Sequence, residues 1–365
     1  MTALLEEIRA LIATDGPISV ERYMALALGH PRHGYYRTRD PLGAAGDFTT
    51  APEISQMFGE LLGLWAVTVW QAMGSPAPVC LVELGPGRGT LMADALRAAR
   101  ALPAFRTALD LHMVETSPVL RQAQQQALAS VEATATWHDD IGTLPPGPAL
   151  MLANEFFDAL PIRQFVRTDT GVHERLVGLG ADGRLAFGLS PDPLTRQSRW
   201  PVPAPGATGV FEVSLAGEAI VRSLATRLVA QGGALLAIDY GSVTSGPGDT
   251  LQAVRRHGFV DPLAEPGEAD ITAHVDFAAL GRAAADCGAR VHGPVTQGAL
   301  LLGLGLAERT AALSRARDPA QAATLSAAAE RLAGPEPGMG HLFKAIAVTG
   351  PDLTAVPGFT PEDMP

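Results

Sequence analysis

Strand-like apolar segments alternate with helical periodicity through the middle of the chain. One such segment begins at Val79, and others cover residues 109–114, 133–137, 149–153 and 234–238. The segment 149–153 shows no alternation of apolar and polar positions, which is typical of a parallel strand covered on both faces. Strands that alternate with helices predict a parallel sheet, and we expect an α/β fold with helices on both faces of that sheet.

Helical spacing also precedes the first strand. Apolar residues recur at helical spacing over residues 3–13, and a second helix is expected after Pro17 with Ser19 as its cap. Residues 57–73 form a third, mostly apolar helical pattern. The chain is therefore expected to open with helices that lie outside the α/β alternation.

The alternation stops between residues 160 and 213. Short β-like runs, an Asp182-Gly183 hairpin signal and a proline-rich stretch replace it, and we interpret this segment as a β-rich insertion. The predicted domains are residues 1–75 with N-terminal helices and a lid loop, 76–160 with 214–350 as a Rossmann-like core, 161–213 as the inserted arm, and 351–365 as a C-terminal tail.

Two long segments lack regular periodicity. Residues 31–55 are rich in glycine, proline and turn residues, and residues 250–275 carry His257, Asp270 and His274. A long irregular segment inside a compact domain is usually functional or disordered. Because the first segment also contains aromatic and acidic residues, we expect a lid loop, with a surface loop packed by its own tyrosines as the alternative.

Composition and charge exclude several classes of protein. The net charge is −11 and no run of lysines or arginines is present, so a nucleic acid is not an expected partner. Cys80 and Cys287 are far apart and lie in no metal-spaced cluster, so neither a disulfide framework nor a metal centre is indicated. The chain shows no apolar stretch of membrane-spanning length and no signal or transit pattern, so we expect a cytoplasmic location without membrane insertion.

The glycine-rich stretch VELGPGRGTL joins the first strand to a helix. Glu83 precedes Gly85, Gly87 and Gly89, so a strand, a tight turn and a helix N-terminus follow in order. The dinucleotide fingerprint needs its third glycine one residue later than this chain has it. The spacing therefore favours S-adenosyl-L-methionine (AdoMet) over a nicotinamide or flavin dinucleotide.

Acidic residues follow the later strands. Glu115 comes at the interval at which an acid hydrogen-bonds ribose hydroxyls, and Asp140 with Ile141 would suit an adenine amino group and ring face. The strand 149–153 runs into Asn154-Glu155-Phe156-Phe157-Asp158. Ligands of open α/β sheets bind beyond the carboxyl ends of the strands, so these acids are expected in the reaction zone.

Seven stretches of the chain resemble the MidA-type family over roughly residues 16–348. They are GDFTTAPEISQMFGE, VELGPGRGTLMADALR, HMVETSP, NEFFDALPIRQF, IDYG, GDTLQAVRRH and ADITAHVDFAAL, in this order. The resemblance implies a class I AdoMet methyltransferase fold with an inserted domain. It also implies symmetric dimethylation of an arginine in a core subunit of respiratory complex I during assembly, with that protein as the partner.

The resemblance and the motifs together give a set of candidate site residues. The expected cofactor-binding residues are Glu83, Gly85, Gly87, Gly89, Glu115, Asp140, Ile141 and Asn154. The expected catalytic residues are Glu155 and Asp158, because carboxylates can hold a guanidinium whose delocalised charge makes it a poor nucleophile. The expected substrate or lid residues are Asp47, Phe48, Thr50, Glu53, Tyr240 and His274.

Other interpretations stay open at this point. An assembly chaperone that binds AdoMet without catalysis would need the same glycines, and a small-molecule methyltransferase or a nicotinamide dehydrogenase fits less well. Structural roles compete for most single residues, since Glu155 could instead satisfy helix N-terminal donors. A homodimer is the commonest assembly for a soluble enzyme, and nothing in the sequence indicates more.

Overall fold

The computed structural model describes residues 2–38, 43, 47, 49–194, 208–315 and 317–360. The helices are α1 (Ala3–Asp15), α2 (Val20–Gly29), α3 (Tyr35–Thr38), α4 (Ala51–Ile54), α5 (Gln56–Ala72), α6 (Thr90–Ala98), α7 (Pro103–Ala108), α8 (Pro118–Ala129), α9 (Leu215–Gln231), α10 (Phe277–Ala285), α11 (Gln297–Gly303), α12 (Leu306–Ser314) and α13 (Pro319–Ala333). The strands are β1 (Ile18–Ser19), β2 (Val79–Leu84), β3 (Leu109–Val114), β4 (Thr136–His138), β5 (Ala149–Asn154), β6 (Arg163–Thr168), β7 (Gly171–Leu179), β8 (Leu185–Leu189), β9 (Val210–Val213), β10 (Gly233–Ser242), β11 (Gln252–Arg255), β12 (Gly258–Val260), β13 (Asp270–Thr272), β14 (Val275–Asp276), β15 (Arg290–Thr296) and β16 (Phe343–Thr349).

The chain divides into two compact units, each made of three chain segments. The smaller unit contains Met1–Phe48, Asp158–Glu218 and Thr244–Val275, and the larger contains Thr49–Phe157, Ala219–Val243 and Asp276–Pro365. This division differs from the predicted domains in two ways. The predicted boundary at residue 75 falls inside the larger unit, and the irregular segment expected in the core belongs to the smaller unit.

The larger unit is built on a mostly parallel sheet. Its strands follow the order β15-β16-β10-β5-β2-β3-β4, with β10, β5, β2, β3 and β4 parallel and β16 antiparallel to both of its neighbours. Every residue of β2 and of β5 is buried, as expected for central parallel strands. The predicted α/β fold is therefore confirmed. The third predicted strand is shifted, because β4 contains residues 136–138 rather than 133–137.

Helix α5 packs closely on α6 in this unit. Trp65 and Phe58 of α5 are completely buried, which anchors the helix in the core. A Cβ atom at Gly63 would lie 2.6 Å from the Ala95 backbone of α6, so only glycine permits this helix spacing. The contact fixes the distance between α5 and α6, the helix that follows the glycine loop.

The smaller unit has two sheets and a separate core. One sheet has the order β1-β7-β6-β9 with β8 on β7, and the other has the order β12-β11-β13. Helices α1 and α2 begin as predicted, with Thr2 accepting from the Leu5 N–H and Ser19 from the Arg22 N–H. Their buried side chains, such as Ile8 and Tyr23, join residues of β7 and β13 in one core.

The segment 250–275 is not irregular, which corrects the sequence-based expectation. It forms β11, β12 and β13, strands of only three or four residues. All residues of β12 are exposed and all of β13 are buried, so neither strand shows the alternation that reveals a half-buried strand. The turn between β11 and β12 uses Arg256 and His257 at positive φ instead of glycine, which removes the usual hairpin signal.

Among the described residues, no helix combines the length and the apolar character that crossing a lipid bilayer requires.

Candidate active site

The glycine loop follows directly on β2. Gly85, Gly87 and Gly89 have φ angles of 61°, 52° and 81°, a region that residues with a Cβ atom rarely adopt. A Cβ atom at Gly85 would lie 2.8 Å from Cδ2 of Phe156, so the backbone of the loop packs directly against that ring. Gly89 precedes the first turn of α6 and has no side chain to cap it. This glycine loop, here called the cradle, thus carries bare backbone at the carboxyl end of the sheet.

Glu83 is the penultimate residue of β2 and faces this helix start. The backbone N–H of Met92 in α6 donates to its carboxylate, so Glu83 supplies the cap that Gly89 lacks. The second oxygen, Oε2, is buried and has no hydrogen-bond partner among the described residues. Burial raises the pKa of Glu83 well above its ordinary value, and the Met92 bond opposes this shift only in part. A cationic ligand group would favour the charged form.

Glu115 lies just beyond β3 and is held by two donors. Its Oε1 accepts from the Ser117 N–H at 2.7 Å, and its Oε2 accepts from the Gln124 side chain at 3.3 Å. Burial raises the pKa of Glu115, whereas these hydrogen bonds lower it. The carboxylate is therefore fixed in position at the carboxyl end of the sheet.

Gln124 was not among the sequence candidates. Its amide nitrogen also donates to the Gly87 carbonyl at 2.7 Å, and its amide oxygen accepts from the Trp137 indole at 2.7 Å. One fully buried side chain of α8 thus joins the glycine loop, Glu115 and β4. A polar residue inside an otherwise amphipathic helix is the only sequence signal that could have indicated this role.

Asp140 and Ile141 follow β4 at a short 3-10 helix, Ile141–Thr143. The Asp140 carboxylate accepts from the Gly142 N–H at 2.6 Å and so caps this helix. Asp140 is exposed and Ile141 is half-buried. Both therefore lie at the rim of the carboxyl end, where an adenine contact remains a prediction.

Glu155 occupies a strained position after β5. Its φ angle is 49°, in the left-handed region, which costs roughly 1–2 kcal/mol for a residue with a Cβ atom. Its Oε1 accepts from the Ala51 N–H at 2.9 Å and from the Asn154 side chain at 3.1 Å. The Asn154 Oδ1 atom is buried and has no hydrogen-bond partner in the described part of the chain.

Asp239 of β10 maintains this conformation and was also missed. It is completely buried, and its Oδ2 accepts from the N–H groups of Phe156 and Phe157 at 3.1 and 2.9 Å. Its Oδ1 accepts from the Tyr240 N–H at 2.9 Å. One carboxylate thus fixes the two phenylalanines that follow Glu155. Its sequence signal is an acid directly after the apolar run of a parallel strand.

Part of the predicted lid segment lies at this site. Thr50 precedes α4, and Glu53 within α4 accepts from the Thr90 hydroxyl at 2.6 Å. Arg88 of the glycine loop lies 4.0 Å from the other oxygen of Glu53. Together with the Ala51 contact to Glu155, these bonds join α4 to both the glycine loop and the end of β5.

Other predicted residues lie elsewhere. Asp47, Asp158 and His274 belong to the smaller unit, and Phe48 lies outside the described residues. Asp47 accepts from the Tyr35 hydroxyl at 2.7 Å, and the His274 N–H donates to Thr250. These interactions are local to the smaller unit, and the predicted pairing of Asp158 with Glu155 stays a prediction.

Asp158 itself is buried in the smaller unit beside a phenol. The Tyr36 hydroxyl donates to Asp270 at 2.8 Å, and burial together with the charges of Asp270 and Asp158 raises the pKa of Tyr36. Tyr240, by contrast, belongs to the larger unit and stacks edge-on against Phe343, with ring centroids 5.5 Å apart.

The residues at the carboxyl end fit a compact ligand such as AdoMet. Glu83 Oε2 and Asn154 Oδ1 are buried acceptors without partners among the described residues, and they lie at the ends of neighbouring strands. Buried polar atoms normally have a partner, so both indicate a ligand that donates hydrogen bonds.

Comparison with known proteins agrees with this geometry. A family model described as "Putative S-adenosyl-L-methionine-dependent methyltransferase" matches residues 61–295. The chain belongs to this AdoMet-dependent methyltransferase family. A crystal structure of a Burkholderia thailandensis protein bound to S-adenosyl-homocysteine superposes with a TM-score of 0.85 at 30% identity, covering 98% of this chain and 94% of that one. The class I methyltransferase fold and the AdoMet cofactor are thereby confirmed. The comparison does not support the dinucleotide alternative.

Two relatives are named "Protein arginine methyltransferase NDUFAF7, mitochondrial" and "Protein arginine methyltransferase NDUFAF7 homolog, mitochondrial". The Danio rerio protein is 38% identical over 95% of this chain and 86% of its own length. The Drosophila melanogaster homologue is 41% identical over 82% of this chain and 74% of its own length. The predicted cytoplasmic location is wrong by this comparison. It relied on the absence of a targeting pattern, and such an absence does not identify a compartment.

Proposed function

We propose that this methyltransferase modifies arginine side chains of a protein substrate, and that the substrate is a core subunit of respiratory complex I during assembly. Support for arginine comes from the relatives, which are named protein arginine methyltransferases and are 38% and 41% identical to this chain. Support for the complex I subunit comes from the family resemblance alone. The chemistry must then be explained by carboxylates at the carboxyl end of the sheet.

The observation that carries the proposal is the strained position of Glu155. A glutamate is held at positive φ one residue before the ring that packs on the glycine loop. Strain of this kind persists only where the surrounding structure enforces it, and it concentrates at functional sites. Asp239 enforces it here through its two bonds to the following backbone.

In this proposal the chain's residues position the two reactants. Bound AdoMet would supply the methyl group from its positively charged sulfur. A guanidinium nitrogen would form a bond to the methyl carbon while the C–S bond breaks and its electron pair stays with sulfur, and the nitrogen would lose one proton to water. Glu155 pairs with the guanidinium and draws its positive charge toward the nitrogens that are not methylated. Glu83 and Asn154 hold the cofactor by their unpaired acceptors, and Glu115 holds it beyond β3.

Glu155 is already bonded to Ala51 and Asn154, so its conformation does not depend on the substrate. Such preorganisation lowers the cost of reaching the reactive geometry. Asp158 is proposed as a second carboxylate for the guanidinium, and Asp47, Phe48, Thr50, Glu53, Tyr240 and His274 stay proposed lid or substrate residues.

The test is Glu155→Gln, with transfer of a labelled methyl group to purified complex I core subunits as the readout. We expect a loss of about 100-fold or more in rate, the size found when one electrostatic partner of a transition state is removed. Affinity for S-adenosyl-homocysteine should stay within about threefold, because the cradle is unchanged. The matched control is Glu132→Gln, an exposed glutamate of the same unit at φ 56°.

Unchanged methyl transfer by Glu155→Gln would contradict the catalytic role. Cofactor binding without methylation of any arginine, combined with retained binding of the subunit, would instead favour the assembly chaperone. Methylation confined to small molecules would contradict the protein substrate.

A further inference from the structure

Three side chains with metal-binding chemistry meet at the amino end of the main sheet. Cys80 is the second residue of β2 and Asp110 the second residue of β3, and the two are register partners. His112 follows Asp110 by two residues, so it lies on the same face of β3. One ligand atom of each residue lies within 4.8 Å of the others. Neither AdoMet nor the residues proposed to bind it take part in this cluster.

The burial of the three side chains differs in a useful way. Cys80 is 5% exposed and His112 is 3% exposed, whereas the Asp110 side chain is 53% exposed. Cys80 and Asp110 also line a cleft of about 400 Å³ whose other walls are the segments 76–78 and 146–148. The cluster therefore has a buried floor and an open side through which a small ligand can enter.

The ring of His112 has one satisfied nitrogen and one unsatisfied nitrogen. Its Nδ1 lies 3.0 Å from Nε2 of His138. Its Nε2 lies 3.1 Å from Oδ2 of Asp110, yet it makes no hydrogen bond to any described residue. The unsatisfied nitrogen is buried and lies close to the exposed carboxylate.

A chain of hydrogen bonds assigns the proton on each ring. The Thr143 hydroxyl donates to the Asp140 carbonyl at 2.8 Å, so it accepts from His138 Nδ1, which lies 2.8 Å away. Neutral His138 then offers Nε2 as an acceptor, and the proton between the rings belongs to Nδ1 of His112.

The Nε2 atom of His112 therefore lies beside a carboxylate without a hydrogen bond to it. An imidazole nitrogen and a carboxylate oxygen 3.1 Å apart are close enough to bind the same cation. The same arrangement, in which the second nitrogen of a histidine donates to a neighbouring group, is how proteins orient metal-ligating histidines. The pair His112 and Asp110 is thus arranged as a cation site rather than as an ordinary hydrogen bond.

We propose that Cys80, Asp110 and His112 bind a divalent metal ion, and that zinc is the ion they suit best. Thiolate, imidazole and carboxylate together are the ligand types that zinc takes, and hard cations such as magnesium or calcium take oxygen ligands instead. Three protein ligands leave the fourth position to water or to a group that enters from the cleft.

Arg227 supports the ligand form of Cys80. Its Nη2 atom lies 3.8 Å from the sulfur and is anchored by the carbonyls of Pro145 and Gly147 at 2.6 and 3.1 Å. A coordinated metal would deprotonate the Cys80 thiol, since a bound thiol loses its proton.

The experiment titrates the metal-stripped full chain with zinc against a chromophoric chelator, and in parallel with cobalt. We expect one metal ion per chain and a thiolate-to-cobalt absorption band. Cys80→Ser should remove that band and weaken zinc binding by about 100-fold or more, and His138→Gln should weaken it by about 10–100-fold while keeping the band. The control Cys287→Ser, on the other cysteine, should change neither measurement.

Folding of each variant is verified by its heat of binding to S-adenosyl-homocysteine. If Cys80→Ser fails this check, Asp110→Asn takes its place, because its exposed side chain can change without disturbing the core; it should weaken zinc by about 10-fold or more. The proposal is overturned if the folded wild type binds neither ion saturably. Equal effects of Cys80→Ser and Cys287→Ser would overturn it as well.

Discussion

The two candidate sites, at the two ends of the main sheet, are assembled from the sequence in different ways. At the carboxyl end, the residues that shape the cradle are close together in the sequence, since Gly85, Gly87 and Gly89 alternate with only one other residue between them. At the amino end, Cys80 and Asp110 are 30 positions apart and meet only because β2 pairs with β3 in one register. The first kind of site can be found by a motif, and the second requires the strand pairing.

The ends also differ in how they use backbone strain. The carboxyl end holds four residues at positive φ, three glycines and Glu155, whereas the cluster at the amino end lies on regular strands. Loops beyond strand ends can approach a ligand with bare backbone, and strand residues can only offer side chains. We therefore expect the two ends to respond independently to substitution.

The largest expected effect is that of Gly85→Ala. The added methyl group would lie 2.8 Å from Phe156 in a backbone conformation that favours glycine, so affinity for S-adenosyl-homocysteine should fall by about 100-fold or more, measured by calorimetry. Gly74→Ala is the control, because it has φ 83° but meets no atom within 4 Å. Zinc affinity should be unchanged in both variants. Equal cofactor affinity of the two variants would contradict the cradle.

The next effect is that of Asp239→Asn. The amide would place an NH₂ group against backbone donors that the carboxylate now accepts from, so the free energy of unfolding in urea should fall by about 2–3 kcal/mol. Asp286→Asn, on a side chain that is 62% exposed, should change it by less than about 0.5 kcal/mol. A stability loss no larger than in this control would mean that Asp239 does not hold the Glu155 turn.

A smaller effect, visible as a pH dependence, is expected for Glu83→Gln. The pKa of Glu83 in the folded protein is raised above its ordinary 4.5, so the folded state binds more protons than the unfolded state above that pH. This group's contribution to stability is complete below the unfolded pKa and is lost as the pH rises through the folded pKa. Without cofactor, Glu83→Gln should therefore gain stability relative to the wild type as the pH rises above the ordinary pKa of a glutamate. Parallel pH profiles in urea unfolding would refute this.

The smallest effect is that of Asp110→Asn on the opposite end. The side chain is 53% exposed, so the free energy of unfolding without metal should change by less than about 0.5 kcal/mol. Affinity for S-adenosyl-homocysteine should stay within about twofold, as measured by calorimetry. A larger change in cofactor affinity would show that the two ends are coupled, for example through the His138–Thr143–Asp140 chain.

The sequence indicated those parts of the molecule in which one local property decides the structure. Central parallel strands must be apolar on both faces, so β2, β5 and β10 were visible as short apolar runs. The strands of residues 250–275 were not, because three-residue strands have no period to detect. The division into two units was also missed, since it depends on contacts between distant segments.

The same distinction applies within the candidate site. Glu155 became a candidate because it follows a buried strand, whereas Gln124 and Asp239 were not predicted because they act on backbone groups of other elements. The metal cluster was missed for a related reason, since cysteine spacing along the chain carries no information on which strand lies beside β2. A sequence motif indicates the local geometry of the chain. Residues that are partners across a sheet can be identified only once the register of the strands is known.

The antiparallel pairing of β1 with β7 has a consequence for biosynthesis. Ile18 pairs with Val177, so the N-terminal segment lacks its sheet partner until roughly 160 further residues have been translated. At the usual elongation rate this delay is on the order of ten to thirty seconds. During that time the apolar faces of α1 and α2 are in the nascent chain without the core that later buries them. This interval lengthens when translation before residue 171 is slowed.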